Sequence, residues 1–235
     1  ARAHGPRPTE AAARMQLQGP ILEEICASLH PGANFLIFGA GRDTEFWVRQ
    51  NARGRTVVLE DNPAWAALCR KHAQCLQVRY TVRQADALQL LAREDKLREM
   101  YDALPPWVRG ASWDVILVDG PGGGPEDKRN PNFAGRMQPI YAASRLRGPR
   151  TTVFVDDLHA EVGVGRGSTA RIVELYTERF LHPPGGDWTS RKVHYLHEGW
   201  LPNVAARVEC RAAGSQSEDR AAAEGPRDRG PRERG

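Results

Sequence analysis

The chain has 235 residues, a formal net charge of +4 and four cysteines. This length accommodates one α/β domain with irregular ends and leaves little room for a second full domain. Much of the surplus positive charge lies in the terminal segments, as at Arg227, Arg229, Arg232 and Arg234, and no RNA- or DNA-binding motif accompanies it. The charge pattern therefore favours a solvated basic tail over a nucleic-acid partner.

Cysteine spacing and hydropathy argue against two further classes. The cysteines form no C-x-x-C pair, so a structural zinc site is not expected. Cys69 and Cys75 are compatible with a disulfide in an oxidising compartment and equally with buried thiols. No apolar run approaches the roughly 20 residues that cross a bilayer, so we expect no membrane span and a soluble chain as given. The sequence begins with Ala, which is compatible with prior removal of an N-terminal targeting or anchoring segment.

The apolar pattern predicts a folded domain over residues 15–203, between a disordered lead (1–14) and a disordered basic tail (204–235). The predicted strands are 34–38, 55–59, 77–82, 114–118, 151–155 and 192–196. The first predicted helix ends at Leu29, and the second contains residues 46–48. The other predicted helices cover 64–71, 87–101, 137–145 and 169–180. Strands that alternate with helices in this way predict an α/β fold, in which helices cover both faces of a mostly parallel sheet.

The residues after the first five predicted strands are glycine-rich or acidic. They are Gly39-Ala40-Gly41, Glu60, Asp86, Asp119 and Asp156-Asp157. In open α/β sheets, ligands bind outside the carboxyl ends of the strands, so these residues predict one common site. Capping of the following helix is the alternative for any single aspartate.

The turn after the first strand contains a shortened glycine motif. Gly39-Ala40-Gly41 lacks the third glycine of the dinucleotide fingerprint, because position 44 is Thr, which argues against NAD. Two glycines permit a close backbone approach that suits the methionine portion of S-adenosylmethionine. Glu60 can accept hydrogen bonds from both ribose hydroxyls. Asp86 is a candidate for holding the adenine amino group, with helix capping as its alternative.

Three carboxylates after neighbouring strands are predicted to share one small volume, which is costly without a cation or a proton. One solution is a divalent metal ion held by Asp119, Asp156 and Asp157, similar to the magnesium site of catechol O-methyltransferases. The other solution is that one aspartate acts as a general base towards a hydroxyl group. Asp119 is the first catalytic candidate, followed by Asp157 and His159. An exposed loop histidine is the alternative for His159.

Five segments carry a family resemblance. They are NFLIFGAGRD (34–43), RTVVLED (55–61), WDVILVDGP (113–121), GRMQPIY (135–141) and TVFVDD (152–157). In this order and spacing they resemble the polysaccharide-biosynthesis family that contains the glucuronoxylan 4-O-methyltransferases, over about residues 16–202. The resemblance implies a Rossmann-like, S-adenosylmethionine-dependent methyltransferase domain. It also implies a Golgi-lumenal enzyme that methylates the 4-hydroxyl of glucuronic acid side chains on xylan.

The resemblance also assigns residues to roles. It places Gly39, Gly41, Glu60 and Asp86 at the cofactor, and Asp119 at the reacting hydroxyl. It places Arg136 and Tyr141 on the acceptor side, where a guanidinium can pair with a uronate carboxylate. Family members usually carry an N-terminal membrane anchor.

Three alternatives stay open at this point. The acceptor can be glucuronic acid on arabinogalactan, or a small-molecule hydroxyl methylated with the help of a divalent metal. The third alternative is a non-catalytic relative that binds polysaccharide through the same fold.

Overall fold

A computed structural model describes residues 17–121, 134–160, 169–183, 185–197 and 201–210 of the chain. The strands are β1 Asn34–Phe38, β2 Arg55–Glu60, β3 Gln74–Gln77, β4 Trp113–Val118, β5 Arg147–Ala160, β6 Trp188–His197 and β7 Leu201–Cys210. The helices are α1 Pro20–Ser28, α2 Thr44–Gln50, α3 Pro63–Cys69, α4 Ala87–Leu90, α5 Glu94–Ala103, α6 Pro106–Arg109, α7 Met137–Leu146 and α8 Thr169–Tyr176. A 3-10 turn (Gln84–Asp86) precedes α4, and a π-helical turn (Thr177–Leu181) follows α8.

The strands form one sheet in the order β3-β2-β1-β4-β5-β7-β6. Neighbours from β3 to β5 run parallel, whereas β7 pairs antiparallel with both β5 and β6. The strand order reverses between β1 and β4, which makes the crevice at their carboxyl ends the topological switch point. The predicted Rossmann-like α/β fold with a mostly parallel sheet is confirmed.

Helices cover both faces of the sheet because successive side chains of a strand point to opposite sides. In β1, Phe35 and Ile37 pack in a core with residues of α1, α2 and α3. Leu36 and Phe38 pack in the opposite core with residues of α5, α7 and α8. Burial on both faces explains why the central strands are continuous apolar runs instead of alternating patterns.

Two predicted elements differ in position or number from those in the structure, and β5 and β6 extend beyond the predicted strands 151–155 and 192–196. The third strand is β3, Gln74–Gln77, and not 77–82, because the register that pairs it with β2 aligns Cys75 with Val58. The apolar residues after β3 lie outside the strand, where Val82 is buried in the core and Val78 and Tyr80 pack against it partly buried. The predicted helix over 87–101 is two helices, α4 and α5, because Arg93 has non-helical backbone angles.

The predicted end of the domain at residue 203 is also wrong. Residues 204–210 belong to β7, which lies between β5 and β6, and Ala206 and Val208 are fully buried. Residues 203–206 of this strand are all buried, and Ala205 and Ala206 pack in opposite cores, so no alternating apolar pattern marks the strand in the sequence. The predicted lead (1–14) and residues 211–235 of the predicted tail lie outside the described residues.

The described part of the chain bears on two expectations from composition, which concern membrane spans and the state of Cys69 and Cys75. None of its helices has both the length and the apolar content that crossing a bilayer requires. Cys69 and Cys75 are both buried and carry free thiols.

Truncation should separate β7 from the sequence beyond it. A chain that ends at Asn203 loses most of a strand with hydrogen-bonded neighbours on both sides, so we expect no cooperative thermal unfolding. A chain that ends at Cys210 keeps every described strand and should melt as the full chain does. Circular dichroism melts of the two truncated proteins make the comparison, and equal melting would contradict the role of β7.

Candidate active site

The backbones that follow β1 and β4 touch at the switch point. Gly39 has a φ of 103°, and its N–H donates to the carbonyl of Leu59 at 2.8 Å. A Cβ atom on Gly39 would lie 2.8 Å from Cα of Gly120, and one on Gly120 would lie 2.5 Å from Cα of Gly39. Neither position has room for a side chain, so only glycine allows these two backbones to come into contact.

Glu60 connects the glycine turn to the end of β2. The Ala40 N–H donates to Oε2 of Glu60 at 2.6 Å, and the Asn62 N–H donates to Oε1 at 2.7 Å. Burial raises the pKa of the Glu60 carboxyl, although these two hydrogen bonds oppose the shift. A carboxylate has about four acceptor positions, so Glu60 retains acceptor capacity after binding its own backbone.

The rest of the glycine turn is tied to α2. The Gly41 N–H donates to Oγ1 of Thr44 at 3.0 Å, and a Cβ atom on Gly41 would lie 2.7 Å from Oδ1 of Asp43. Asp43 is buried and accepts a hydrogen bond from Nε1 of Trp47 at 2.9 Å. The sequence analysis missed Asp43, although an acidic residue two positions after the G-x-G turn was a usable signal.

Asp86 occupies a different setting from the other predicted residues. It ends the 3-10 turn before α4, and its carboxylate pairs with Arg83 at 2.9 Å. Its side chain makes no capping hydrogen bond to α4, so the capping alternative does not describe this conformation. Whether it holds adenine stays a prediction.

Arg136 joins the carboxylates that follow β4 with those of β5. Its Nη2 lies 3.1 Å from Oδ1 of Asp119 and 2.9 Å from Oδ2 of Asp157, and its Nη1 lies 3.8 Å from Oδ2 of Asp156. Nη2 also donates to the backbone carbonyl of Asp119 at 3.1 Å. The side chains of Arg136 and Asp156 are 4% and 2% exposed, whereas those of Asp119 and Asp157 are 16% and 21% exposed. Asp119 and Asp157 are therefore the more accessible members of the cluster, and Arg136 and Asp156 form its buried part.

The charges of this cluster change the proton affinity of Asp119. Burial raises its pKa well above the usual value, the carboxylate of Asp156 raises it further, and Arg136 acts in the opposite direction. Asp43 and Asp157 also raise it. For Arg136, burial alone would lower the pKa, but the surrounding carboxylates, Asp157 foremost, raise it above its usual value. The guanidinium thus stays charged among acids, of which Asp119 holds a proton more readily than an exposed carboxyl.

The backbone of β5 is irregular where these acids lie. Its pairing with β7 shifts register between Val155 and His159, and Asp157 has a φ of 59°, the one described non-glycine residue with a positive φ. Bulges and left-handed residues of this kind concentrate next to active sites. The backbone of His159 belongs to β5 and pairs with Val204, but its side chain lies outside what the structure describes, so its catalytic role stays a prediction.

Two residues of the β6–β7 hairpin also reach the cluster. The hydroxyl of Tyr195 donates to Oδ1 of Asp156, and Nδ2 of Asn203 donates to Oδ1 of Asp157 at 2.8 Å. Sequence reasoning missed both residues. Nothing in their local sequence separates a tyrosine and an asparagine that support a site from those of an ordinary hairpin.

The structure changes how the predicted acceptor residues are understood. Tyr141 is buried in the core, with its ring edge-on to that of Phe180 at 5.4 Å. In this conformation it packs α7 and does not line an open surface. Arg136 is equally buried, and three aspartates surround its guanidinium.

The predicted metal site at Asp119, Asp156 and Asp157 does not have the geometry of one. Among the described residues, no group of three or more His, Cys, Asp or Glu side chains could hold a metal ion. In this arrangement Arg136 supplies the positive charge that the prediction assigned to a divalent ion. With a guanidinium among its carboxylates, this donor set does not fit a metal ion.

A protein-family model matches the part of the chain that contains this acid cluster. The family described as IRX15/IRX15L/GXM matches residues 21–168, which include β1 to β5 and the acid cluster of β4 and β5. The chain belongs to the IRX15/IRX15L/GXM family. The family predicted from the five sequence segments is thereby confirmed.

Some relatives of this IRX15/IRX15L/GXM protein are named as polysaccharide methyltransferases, whereas Protein IRX15-LIKE of Arabidopsis thaliana, 30% identical over 166 residues, is not. Glucuronoxylan 4-O-methyltransferase 3 of Arabidopsis thaliana is 32% identical over 149 residues, which cover 55% of this chain and 48% of the relative. Arabinogalactan O-methyltransferase 2 of the same plant is 31% identical over 170 residues, which cover 60% of this chain and 57% of the relative. The chain spans about half the length of the curated relatives that it matches.

Solved structures support the fold. The O-methyltransferase TomG of Streptomyces achromogenes, in complex with S-adenosylmethionine, superposes with a TM-score of 0.51 at 16% identity. The match covers 86% of this chain and 88% of TomG. At this identity the likeness concerns the fold alone.

The contact between the two glycine backbones generates a stability prediction. Gly39→Ala should cost about 3 kcal/mol of unfolding free energy, because a positive φ and a backbone clash add together. Gly32→Ala is the matched control, since Gly32 has a φ of 87° and nothing within 4 Å of an added Cβ atom. Gly32→Ala should cost only about 1 kcal/mol. Urea unfolding measures both variants, and equal losses would show that the contact with Gly120 is unimportant.

Proposed function

We propose that the chain is an S-adenosylmethionine-dependent O-methyltransferase that methylates the 4-hydroxyl of glucuronic acid side chains on xylan. The family membership and the names of the relatives support the choice of acceptor. A Golgi-lumenal location is part of the same proposal.

One observation carries the enzymatic part of this proposal. The glycine turn after β1, the carboxylate at the end of β2 and the acid after β4 all meet at the switch point. Gly39 contacts Gly120, Ala40 bonds to Glu60, and Arg136 joins Asp119 to the acids of β5. A donor molecule bound at the glycine turn would therefore lie next to the accessible carboxylates.

The residues present fit the cofactor. The Gly39-Gly120 contact holds the turn after β1 against the end of β4, and Glu60 at the same turn keeps free acceptor positions for ribose hydroxyls. Ala40 belongs to the same turn, and Asp86 is assigned to the adenine amino group. When bound, S-adenosylmethionine supplies a methyl group that its sulfonium already activates for transfer.

The remaining chemistry needs orientation and a proton acceptor. A hydroxyl oxygen forms the new C–O bond as the methyl–sulfur bond breaks, the sulfur keeps that electron pair, and the hydroxyl proton must leave. Asp119 is our assignment for the base that takes it, because it is partly exposed beside the glycine turn and its raised pKa suits proton transfer. Asp157 is the second accessible carboxylate, and His159 stays a candidate on the same strand.

Arg136 offers a basis for selecting a uronic acid. Its Nη1 is buried and has no hydrogen-bond partner within the described residues, and an unmet buried donor is unfavourable. A uronate carboxylate reaching Nη1 would supply the missing acceptor. The same argument applies to glucuronic acid on arabinogalactan. This glycan is the second candidate acceptor, because one relative is named an arabinogalactan O-methyltransferase.

Transfer of labelled methyl groups tests the function directly. The purified chain is incubated with S-adenosylmethionine that carries the label, and with glucuronoxylan, arabinogalactan or catechol, each with and without chelator. We expect label on glucuronoxylan, and de-esterified xylan without glucuronic acid serves as the matched control. Label on arabinogalactan alone would move the proposal to that glycan. Chelator-sensitive label on catechol would favour a metal-dependent enzyme, and no transfer to any acceptor would favour a non-catalytic binding protein.

Two isosteric variants should separate binding from turnover. Asp119→Asn should lower kcat about 100-fold or more, the usual value of a lost base, while the Kd for S-adenosylmethionine stays within about threefold. Glu60→Gln should raise that Kd by about tenfold or more, because a hydrogen bond to a charged group is lost. Calorimetry measures binding, and label transfer measures turnover. Asp95→Asn on the exposed face of α5 is the control, and full turnover in Asp119→Asn would remove Asp119 from the role of base.

A further inference from the structure

We propose that Tyr195 and Asn203 are positioning residues, through which the β6–β7 hairpin holds Asp156 and Asp157 in place around Arg136 and Asp119. This inference deepens the proposed function and rests on it. Neither residue belongs to the segment that the family model matches, which ends at residue 168.

The two residues form a cross-strand pair. Tyr195 lies opposite Asn203 in the antiparallel register of β6 and β7, and both side chains are buried. Asn203 also pairs through its backbone with Ala160 of β5. The pair therefore lies beside the irregular part of β5, where Asp156 and Asp157 are found.

The hydrogen bonds of this pair have one consistent direction. The Val204 N–H donates to Oδ1 of Asn203 at 2.8 Å, so the amide nitrogen faces the acids. Nδ2 then donates one hydrogen to Asp157 and the other to the hydroxyl oxygen of Tyr195, each at 2.8 Å. The hydroxyl hydrogen of Tyr195 is left for Asp156. Each polar hydrogen of the pair thus has an acceptor, and two of the three go to an aspartate of β5.

These hydrogen bonds lie at the irregular part of β5. Asp157 has a left-handed backbone, which an aspartate adopts at some cost. The bond from Asn203 holds its carboxylate on one side while Nη2 of Arg136 holds it on the other. Asp156 is likewise held between Tyr195 and Arg136.

The link to the reacting position runs through Arg136. The same nitrogen, Nη2, contacts Asp157 and both the side chain and the backbone carbonyl of Asp119. A shift of Asp157 would move the guanidinium and, with it, the carboxylate of Asp119. Small misplacements of this kind reduce turnover far more than they reduce binding at a separate subsite. The cofactor contacts assigned to Glu60 and the glycine turn lie outside this chain of bonds.

The test compares turnover with cofactor binding. In Tyr195→Phe, we expect kcat for methyl transfer to glucuronoxylan to fall about 10- to 100-fold, with the Kd for S-adenosylmethionine unchanged within about twofold. Asn203→Ala is the second variant and should act in the same way. Because both act through one network, the double variant should lose less than the product of the two single losses.

Thr151→Val is the matched control. Its buried hydroxyl donates to the carbonyl of Trp113 at 2.6 Å and accepts from the Gly148 N–H at 2.8 Å, at the opposite end of β5. This variant should lower the melting temperature, as Tyr195→Phe does, and keep the wild-type kcat.

Three outcomes would overturn the inference. If Tyr195→Phe and Asn203→Ala keep the wild-type kcat, the positioning role is wrong and the methyltransferase proposal stands. If kcat falls equally in Thr151→Val, the hairpin contributes only stability. If the wild-type chain methylates no acceptor, the proposed function itself has failed, and the positioning role fails with it.

Discussion

The ionic contact of Arg136 with the acids of β4 and β5 is the interaction on which the candidate site depends. Three carboxylates in one partly buried volume repel one another, and burial alone disfavours their charges. A guanidinium at 2.9 to 3.8 Å from all three offsets that repulsion and fixes their spacing. Removing one member of a buried ion cluster costs more than the cluster contributes, because it leaves an uncompensated charge. The site is therefore a single electrostatic unit with parts from β4, α7 and β5.

The Gly39-Gly120 contact is the geometric counterpart of this ionic unit. It brings the ends of β1 and β4 closer than side chains would allow, and the Glu60 bond to Ala40 adds the end of β2. One half of the crevice is consequently built from backbone and the other half from charged side chains. This division matches the two tasks of the proposed reaction, which are to bind a donor and to remove a proton from an acceptor.

The β6–β7 hairpin contributes a third set of contacts to the site. β7 inserts antiparallel beside β5, so its side chains reach the same rim as the parallel strands. Because Tyr195 and Asn203 lie beyond the residues that match the family model, the support of the acids depends on strands outside that match. The matched segment supplies the acids and Arg136, and the hairpin adds the hydrogen bonds from Tyr195 to Asp156 and from Asn203 to Asp157.

The sequence by itself determined the alternation of strands and helices, the parallel sheet and the set of acidic and glycine-bearing strand ends. These features are local, since they follow from apolar runs and from the residue types at their ends. It also determined the family, because five segments keep their order and spacing. It failed for β3 and β7, where edge position and small residues blur the periodicity, and for the split between α4 and α5.

Only the tertiary structure decided what the charged residues do to one another. Arg136 was expected to face an acceptor, and the fold surrounds its guanidinium with Asp119, Asp156 and Asp157, while its buried Nη1 has no hydrogen-bond partner among the described residues. Tyr141 was expected on the same side and is packed in the core. The support from Tyr195 and Asn203 joins residues about 40 positions away from their aspartate partners. Contacts of this kind depend on strand order and register, which no local pattern encodes, so they emerge only when the sheet is assembled.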